Sequence, residues 1–137
     1  MNDESLTTPS VDKKQEFISR VNQIKFGCIA YKLMFPDEGT AWSWEQANQA
    51  IERYQKYLIL VYFYPDKIIV PSRTIDKVWH NHILDTHKYY EDCNTLFGKY
   101  VHHFPYYGVR DENDRQALEE SFSETQNLWA KHFGGKM

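Results

Sequence analysis

The segment from Trp44 to Tyr64 constrains the fold more than any other part of the sequence. Its apolar residues recur every three or four positions, which is the spacing of one buried face of an α-helix. Ser43 and Gln46 fit a capping box at its start, and Pro65 ends it. Near its end the helix is apolar on every side. Such a helix end is stable only in a protein interior, so we expect other helices to surround it.

Helical patterns also occupy most of the remaining sequence. The predicted helices lie at about 10–35, 44–64, 74–84, 86–97 and 112–133. A short extended connector is expected near 67–71, because Pro71 keeps Val70 out of the helical region. The sequence therefore predicts an all-α fold, a single compact domain of about five helices over residues 10–137. Residues 1–9 are polar and are predicted to form a flexible N-terminal tail.

Composition excludes several classes of function. The 137-residue chain has a net charge of −3 with interspersed charges, so we expect no nucleic-acid partner. No apolar run approaches the roughly 18–20 residues that span a membrane, and the acidic N-terminus is not typical of a secretory signal. Two cysteines cannot form a disulfide framework, which favours a reducing cytoplasm. We also expect no nucleotide cofactor, and the oligomeric state stays open.

Histidines are concentrated in one part of the chain. Five of the six lie within 24 residues, and one cysteine lies among them. These residues are His80, His82, His87, Cys93, His102 and His103. Neutral imidazole, thiolate and carboxylate groups are the ligands that zinc and related ions take in proteins. The segment therefore holds candidate residues for a metal site, although its spacing matches no common motif such as CxxC or HExxH.

Helical geometry divides these candidates between two sites. His80 and His82 point roughly 160° apart on a regular helix, so they cannot bind one ion together. One candidate site faces the interior, where His82 and Cys93 would be joined by His102 or His103 from the following loop.

The other candidate site combines Asp76 and His80 with His103 or His87. Asp76 and His80 are i, i+4 neighbours on one face of a helix. An aspartate that accepts from one ring nitrogen fixes the tautomer and leaves the other nitrogen free for a metal or a proton. A purely structural interpretation stays open beside both sites, because histidines can tie a loop to helix ends and a buried Cys93 can pack as a small apolar residue.

The order of these residues resembles a known family. A D-x-x-W-H-x-H-I-L segment begins at Asp76, a Y-x-x-D-C segment at Tyr89 and an F-G-x-x-x-H-H segment at Phe97. This combination resembles the small bacterial members of the glycine-rich domain-containing protein-like family, over about residues 45–134. The resemblance implies a domain of uncharacterised biochemistry. Larger plant relatives add glycine-rich tails, whereas this chain has six glycines, so the family name gives no reason to expect RNA binding.

The resemblance also selects residues. The family's signature positions fall on Asp76, Trp79, His80, His82, Tyr89, Asp92, Cys93, Gly98, His102 and His103. Some relatives carry an aromatic residue where His82 stands, which favours His80, Cys93 and the His102–His103 pair as ligands.

The leading hypothesis is a small cytoplasmic helical domain that binds one transition-metal ion, with zinc as the first candidate. The predicted ligands are His80, Cys93, His102 and His103. Supporting or alternative ligands are Asp76, which would orient His80, and His82 and Asp92. The signature residues predicted to be structural are Trp79, Tyr89 and Gly98. Two alternatives stay open: a protein–protein interaction module whose His/Cys cluster is structural, and a metal-dependent or cysteine/histidine enzyme of unknown substrate.

Overall fold

Six helices form in the described part of the chain, residues 8–104 and 107–137 of the computed structural model. In chain order they are α1 (Val11–Gln23), α2 (Gly27–Met34), α3 (Trp44–Phe63), α4 (Arg73–Leu84), α5 (Thr86–Phe97) and α6 (Glu112–Phe133). These residues contain no strand, and the expected connector at 67–71 is not helical, so the all-α prediction is confirmed. Residues 1–7, most of the predicted tail, lie outside the described residues.

Helix α3 lies at the centre of the packing, as its sequence predicts. It contacts α1, α2, α4 and α6. The four consecutive residues 57–60 are all buried. Consecutive helical residues point about 100° apart, so neighbouring helices must cover every side of this end of α3. Ser43 and Gln46 make the predicted capping box. None of the described helices is both long and apolar enough to cross a membrane.

The first predicted helix, 10–35, differs from the structure because it forms two helices. The backbone leaves the helical conformation at Ile24, with φ −67° and ψ 133°, and α2 begins at Gly27. The break turns Phe26 into the core, where its ring lies 5.9 Å from the Tyr54 ring and 5.6 Å from the His82 ring. Burial of a large aromatic ring thus outweighs continuation of a regular helix.

Helices α4 and α5 follow one another with a single residue, Asp85, between them. Ser72 caps the start of α4 by accepting a hydrogen bond from the backbone N–H of Ile75. Gly98 ends α5 in the left-handed conformation, with φ 70°, which favours glycine. The chain after Gly98 forms the loop that carries His102 and His103. This arrangement brings the loop back towards α4.

Candidate metal centre

Asp76, His80 and His103 form a cluster of potential metal ligands, the one group of this kind among the described residues. Each offers a ligand atom within 4.8 Å of those of the other two. His103 Nε2 donates to Asp76 Oδ1, and Asp76 Oδ2 lies 3.5 Å from His80 Nδ1. The two imidazole rings are 5.1 Å apart between centroids. One carboxylate therefore lies between two imidazoles that come from different segments of the chain.

Helix α4 positions the first two residues of this cluster. Asp76 and His80 lie one turn apart, and His80 Nδ1 donates to the main-chain carbonyl of Asp76 at 3.0 Å. The side chain of His80 is 56% exposed and that of Asp76 is 35% exposed. A metal ion can therefore reach both side chains from solvent without unfolding of the helix.

Hydrogen bonds from the core hold the loop that supplies His103. The Tyr89 hydroxyl donates to the main-chain carbonyl of Val101, and Trp79 Nε1 donates to the Tyr89 oxygen at 2.9 Å. Burial raises the pKa of Tyr89, so its hydroxyl keeps the proton that it donates. The Trp79 ring lies 4.3 Å from the His103 ring. Trp79 and Tyr89 thus fix the loop and support the third residue of the cluster.

His82 lies on the opposite face of α4 and belongs to the core. Its side chain is 1% exposed. Nδ1 lies 2.7 Å from the Tyr54 hydroxyl, and Nε2 lies 2.8 Å from Asp92 Oδ2. Lys88 Nζ lies 3.0 Å from the same carboxylate oxygen. Both ring nitrogens are therefore occupied by protein partners.

The protonation state of this buried chain follows from its surroundings. Burial raises the pKa of Tyr54 well above its ordinary value, so Tyr54 donates to His82 Nδ1. Nε2 then carries the ring proton and donates to Asp92. Burial also lowers the pKa of His82, although the hydrogen bond that His82 donates to Asp92 acts in the opposite direction. His82 is thus a neutral imidazole with one donor and one acceptor, both satisfied, as expected for a structural core histidine.

Cys93 lies on the buried face of α5, away from the cluster. Burial raises the pKa of its thiol, while hydrogen bonds with the Val101 backbone and the Tyr89 side chain act in the opposite direction. A thiol with a raised pKa is mostly protonated at neutral pH, and the protonated form is a poor metal ligand. Cys93 instead packs beside the same two residues that anchor the loop.

Comparison with known proteins identifies the family of this chain. The profile of the UCP032817-like family matches residues 21–127. The chain belongs to this family. It is 29% identical over 91 residues to glycine-rich domain-containing protein 1 of Arabidopsis thaliana and 30% identical over 91 residues to glycine-rich domain-containing protein 2 of the same plant. These matches cover 64% of the chain but 11% of each plant protein. The expected resemblance is confirmed, and no solved structure matches the chain.

The positions that the resemblance marks as signature residues, apart from His102, fall into three groups in the structure. Those in the cluster are Asp76, His80 and His103. Those that support the loop are Trp79, Tyr89, Cys93 and Gly98. Those in the buried chain are His82 and Asp92. The sequence pattern therefore combines one surface cluster with the core contacts that place it.

The four predicted ligands are not brought together as a set. His80 and His103 lie in the cluster, whereas Cys93 and His102 join no group of potential ligands among the described residues. The buried face of α5 holds Cys93 inside the protein. The ring of His102 packs 4.8 Å from that of Tyr100 instead. Of the two candidate sites predicted from the sequence, the structure contains the one formed by Asp76 and His80, with His103 as its third residue.

A groove of about 600 Å³ adjoins the cluster. Asp76 and His103 line it together with the rings of Tyr57 and Trp79. Its other walls come from the connector 68–71, from Leu118 of α6 and from segments around the loop. Sequence reasoning missed this groove because its walls lie far apart along the chain, and no local pattern shows that they meet.

Two hydrogen bonds fix the connector wall of the groove. The Tyr57 hydroxyl donates to the Ile69 carbonyl at 2.7 Å. The backbone N–H of Val70 donates to Thr125 Oγ1 at 3.0 Å, so α6 holds the connector in place. Arg73, at the first turn of α4, also lines the groove and was not singled out from the sequence. Nothing in its local sequence distinguishes it from other exposed arginines.

Proposed function

We propose that this domain binds one Zn²⁺ ion through Asp76, His80 and His103. The observation that carries the proposal is the convergence of these three side chains from α4 and the loop after α5. Two imidazoles and one carboxylate form a common donor set for zinc and related transition metals. The cluster combines neutral and anionic ligands, and solvent can reach it.

The ligand atoms of the cluster lie within 4.8 Å of one another, and their separations bracket the one that zinc requires. With bonds of about 2.0–2.1 Å in a tetrahedral site, ligand atoms lie roughly 3.3 Å apart. His80 Nδ1 and Asp76 Oδ2 are already 3.5 Å apart. His103 Nε2 bonds directly to the other oxygen of the same carboxylate. Zn²⁺ can bind these two nitrogens only after each imidazole moves its proton to the other ring nitrogen. Binding therefore requires a tautomer change together with side-chain rotation, and the helix and loop keep their positions.

Three protein ligands leave at least one coordination position open. Structural zinc sites are generally closed by four protein ligands, whereas open sites hold water or a small molecule in the remaining position. The exposure of His80 and the adjoining groove favour an open site. Zinc in this domain would then interact with a further ligand as well as crosslinking helix and loop.

The proposal is tested with protein purified without a histidine tag. Equilibrium dialysis against Zn²⁺ followed by elemental analysis should give about one bound ion per chain. Asp76→Asn and His80→Ala should each weaken binding by more than about 100-fold, because even groups that only support a ligand change metal affinity by 10- to 100-fold. His87→Ala is the matched control, since His87 is an exposed histidine outside the cluster.

Two further variants separate this site from the four-ligand alternative. Cys93→Ser and His102→Ala should retain zinc if the three-residue cluster is the site, and should lose it if all four predicted ligands are required. The Co²⁺-substituted protein should lack the intense charge-transfer absorption of a cobalt–thiolate bond. Absence of bound zinc above the buffer blank would refute the proposal and leave Asp76 as a hydrogen-bonding link between two histidines.

A further inference from the structure

We propose that the groove beside the cluster binds a small organic monocarboxylate with an apolar body, anchored by Arg73 and by the metal. This inference rests on the proposed zinc site for its second anchor, whereas the groove and Arg73 are features of the protein itself. A volume of about 600 Å³ lies within the usual range for small-molecule sites. The groove can therefore enclose a ligand about the size of a substituted aromatic ring.

The walls of the groove fit an apolar ligand body. The rings of Tyr57 and Trp79 and the side chain of Leu118 line it. Ile68 and Phe104 also line it although they are 60% and 57% exposed. A ligand that covers these surfaces would remove apolar area from water, which is the main source of affinity in such sites.

The charges beside the groove select a carboxylate. Arg73 is exposed and makes no hydrogen bond or ion pair within the described residues. Arg110, the other arginine of the groove, is already bound to Asp114 through two nitrogens. One free guanidinium fork matches one carboxylate in a bidentate arrangement.

The metal changes how strongly an anion binds in the groove. Without an ion, the carboxylate of Asp76 lies on the groove wall and offsets the charge of Arg73. A divalent cation held by Asp76, His80 and His103 reverses the sign of the local charge and offers an open position to the carboxylate. Carboxylate binding should therefore be stronger in the zinc-loaded protein than in the metal-free protein.

The experiment uses 4-phenylbutyrate as the probe, with 4-phenylbutanol as its uncharged counterpart and phenyl phosphate as the alternative anion. Saturation-transfer NMR and calorimetry measure binding with and without Zn²⁺. We expect saturable binding of 4-phenylbutyrate that weakens at least about tenfold in Arg73→Gln, the usual effect of losing a charge-assisted hydrogen bond. Arg53→Gln is the matched control, because Arg53 is exposed on α3 outside the groove.

The outcomes distinguish this inference from the proposed zinc site, which equilibrium dialysis tests separately. Bound metal with equal affinity for the acid and the alcohol, or with full binding in Arg73→Gln, overturns the inference alone. Tighter binding of phenyl phosphate overturns the assignment to carboxylates. Arg73-dependent binding in a protein that takes no metal supports the groove site and refutes the zinc site. Absence of both overturns both.

Discussion

Replacing Tyr54 with phenylalanine removes one oxygen atom from the core and leaves the aromatic ring in place. The lost hydroxyl donates to His82 Nδ1 at 2.7 Å. Tyr54 and His82 are almost completely buried, so water cannot replace the donor. Asp92 holds the other ring nitrogen and its proton. The variant therefore leaves a buried acceptor without a partner, and it does so with almost no change in volume.

The size of the effect follows from this geometry. Losing a buried hydrogen bond costs about 1 kcal/mol on average, and up to about 3 kcal/mol when the remaining group is left desolvated. A chain of 137 residues unfolds with an entropy of about 0.3 kcal/mol/K. We therefore expect Tm to fall by about 3–10 °C in Tyr54→Phe. Zinc binding should be unchanged, because His82 is not a ligand of the proposed site.

The assay is thermal and urea unfolding followed by circular dichroism, together with zinc dialysis. Tyr62→Phe is a suitable control, since the Tyr62 hydroxyl makes no hydrogen bond within the described residues while its ring stacks on Phe17. A loss below about 0.5 kcal/mol in Tyr54→Phe, within the range of neutral substitutions, would refute the buried hydrogen-bond chain. Loss of zinc with Tm unchanged would instead place His82 among the metal ligands.

Three further substitutions test the segments that shape the groove. The hydrogen bond from Arg110 lowers the pKa of Asp114 to about 2, so its stabilising effect is present at neutral pH and is lost as pH falls from about 4 to 2. The Tm difference between wild type and Asp114→Asn should accordingly be largest near neutral pH and narrow below about pH 4. Gly108→Ala should destabilise the protein in urea unfolding by more than about 1 kcal/mol, because Gly108 has φ +89° and a new Cβ would lie 2.3 Å from a Leu118 methyl. Thr125→Val should cost about 1–3 kcal/mol by the same assay, since the Val70 N–H loses its partner, whereas full stability would show that another group accepts this proton.

The helices could be predicted from the sequence wherever their signals are local. Apolar periodicity and capping residues predict α3, α4, α5 and α6 within a residue or so of their observed bounds. The break at Ile24 could not be predicted, because it depends on the pocket that α3 and α4 form for the Phe26 ring. Tertiary burial decided this position against a continuous helical pattern.

The cluster could be predicted only where it depends on the geometry of a single helix. Asp76 and His80 are adjacent through helical geometry alone, and the opposed directions of His80 and His82 follow from the same rule. The choice between His87 and His103 as the third residue depends on the path of the loop. That path is set by Tyr89 and Val101, whose hydrogen bond no local pattern indicates.

The groove could not be predicted at all. Its walls come from α3, the connector, α4, the loop and α6, and each of these segments reads as an ordinary helix or turn. Arg73 becomes distinctive only because Arg110 is already paired with Asp114. A ligand site defined by which of two arginines is free is a property of the assembled fold.

The structure gives a physical role to several residues that surround the three candidate ligands. A helix fixes Asp76 and His80 relative to one another, whereas a residue in an unconstrained loop can occupy many positions. Ordering such a residue at a metal site costs conformational entropy and weakens metal binding. Gly98 sets the direction of the loop, Tyr89 holds its backbone, and the Trp79 ring limits the imidazole. Packing in the folded core thus orders His103 before any ion binds, so metal binding does not have to supply the conformational entropy that this ordering costs. Substitution of Gly98, Tyr89 or Trp79 should therefore weaken zinc binding even where the three proposed ligands are intact.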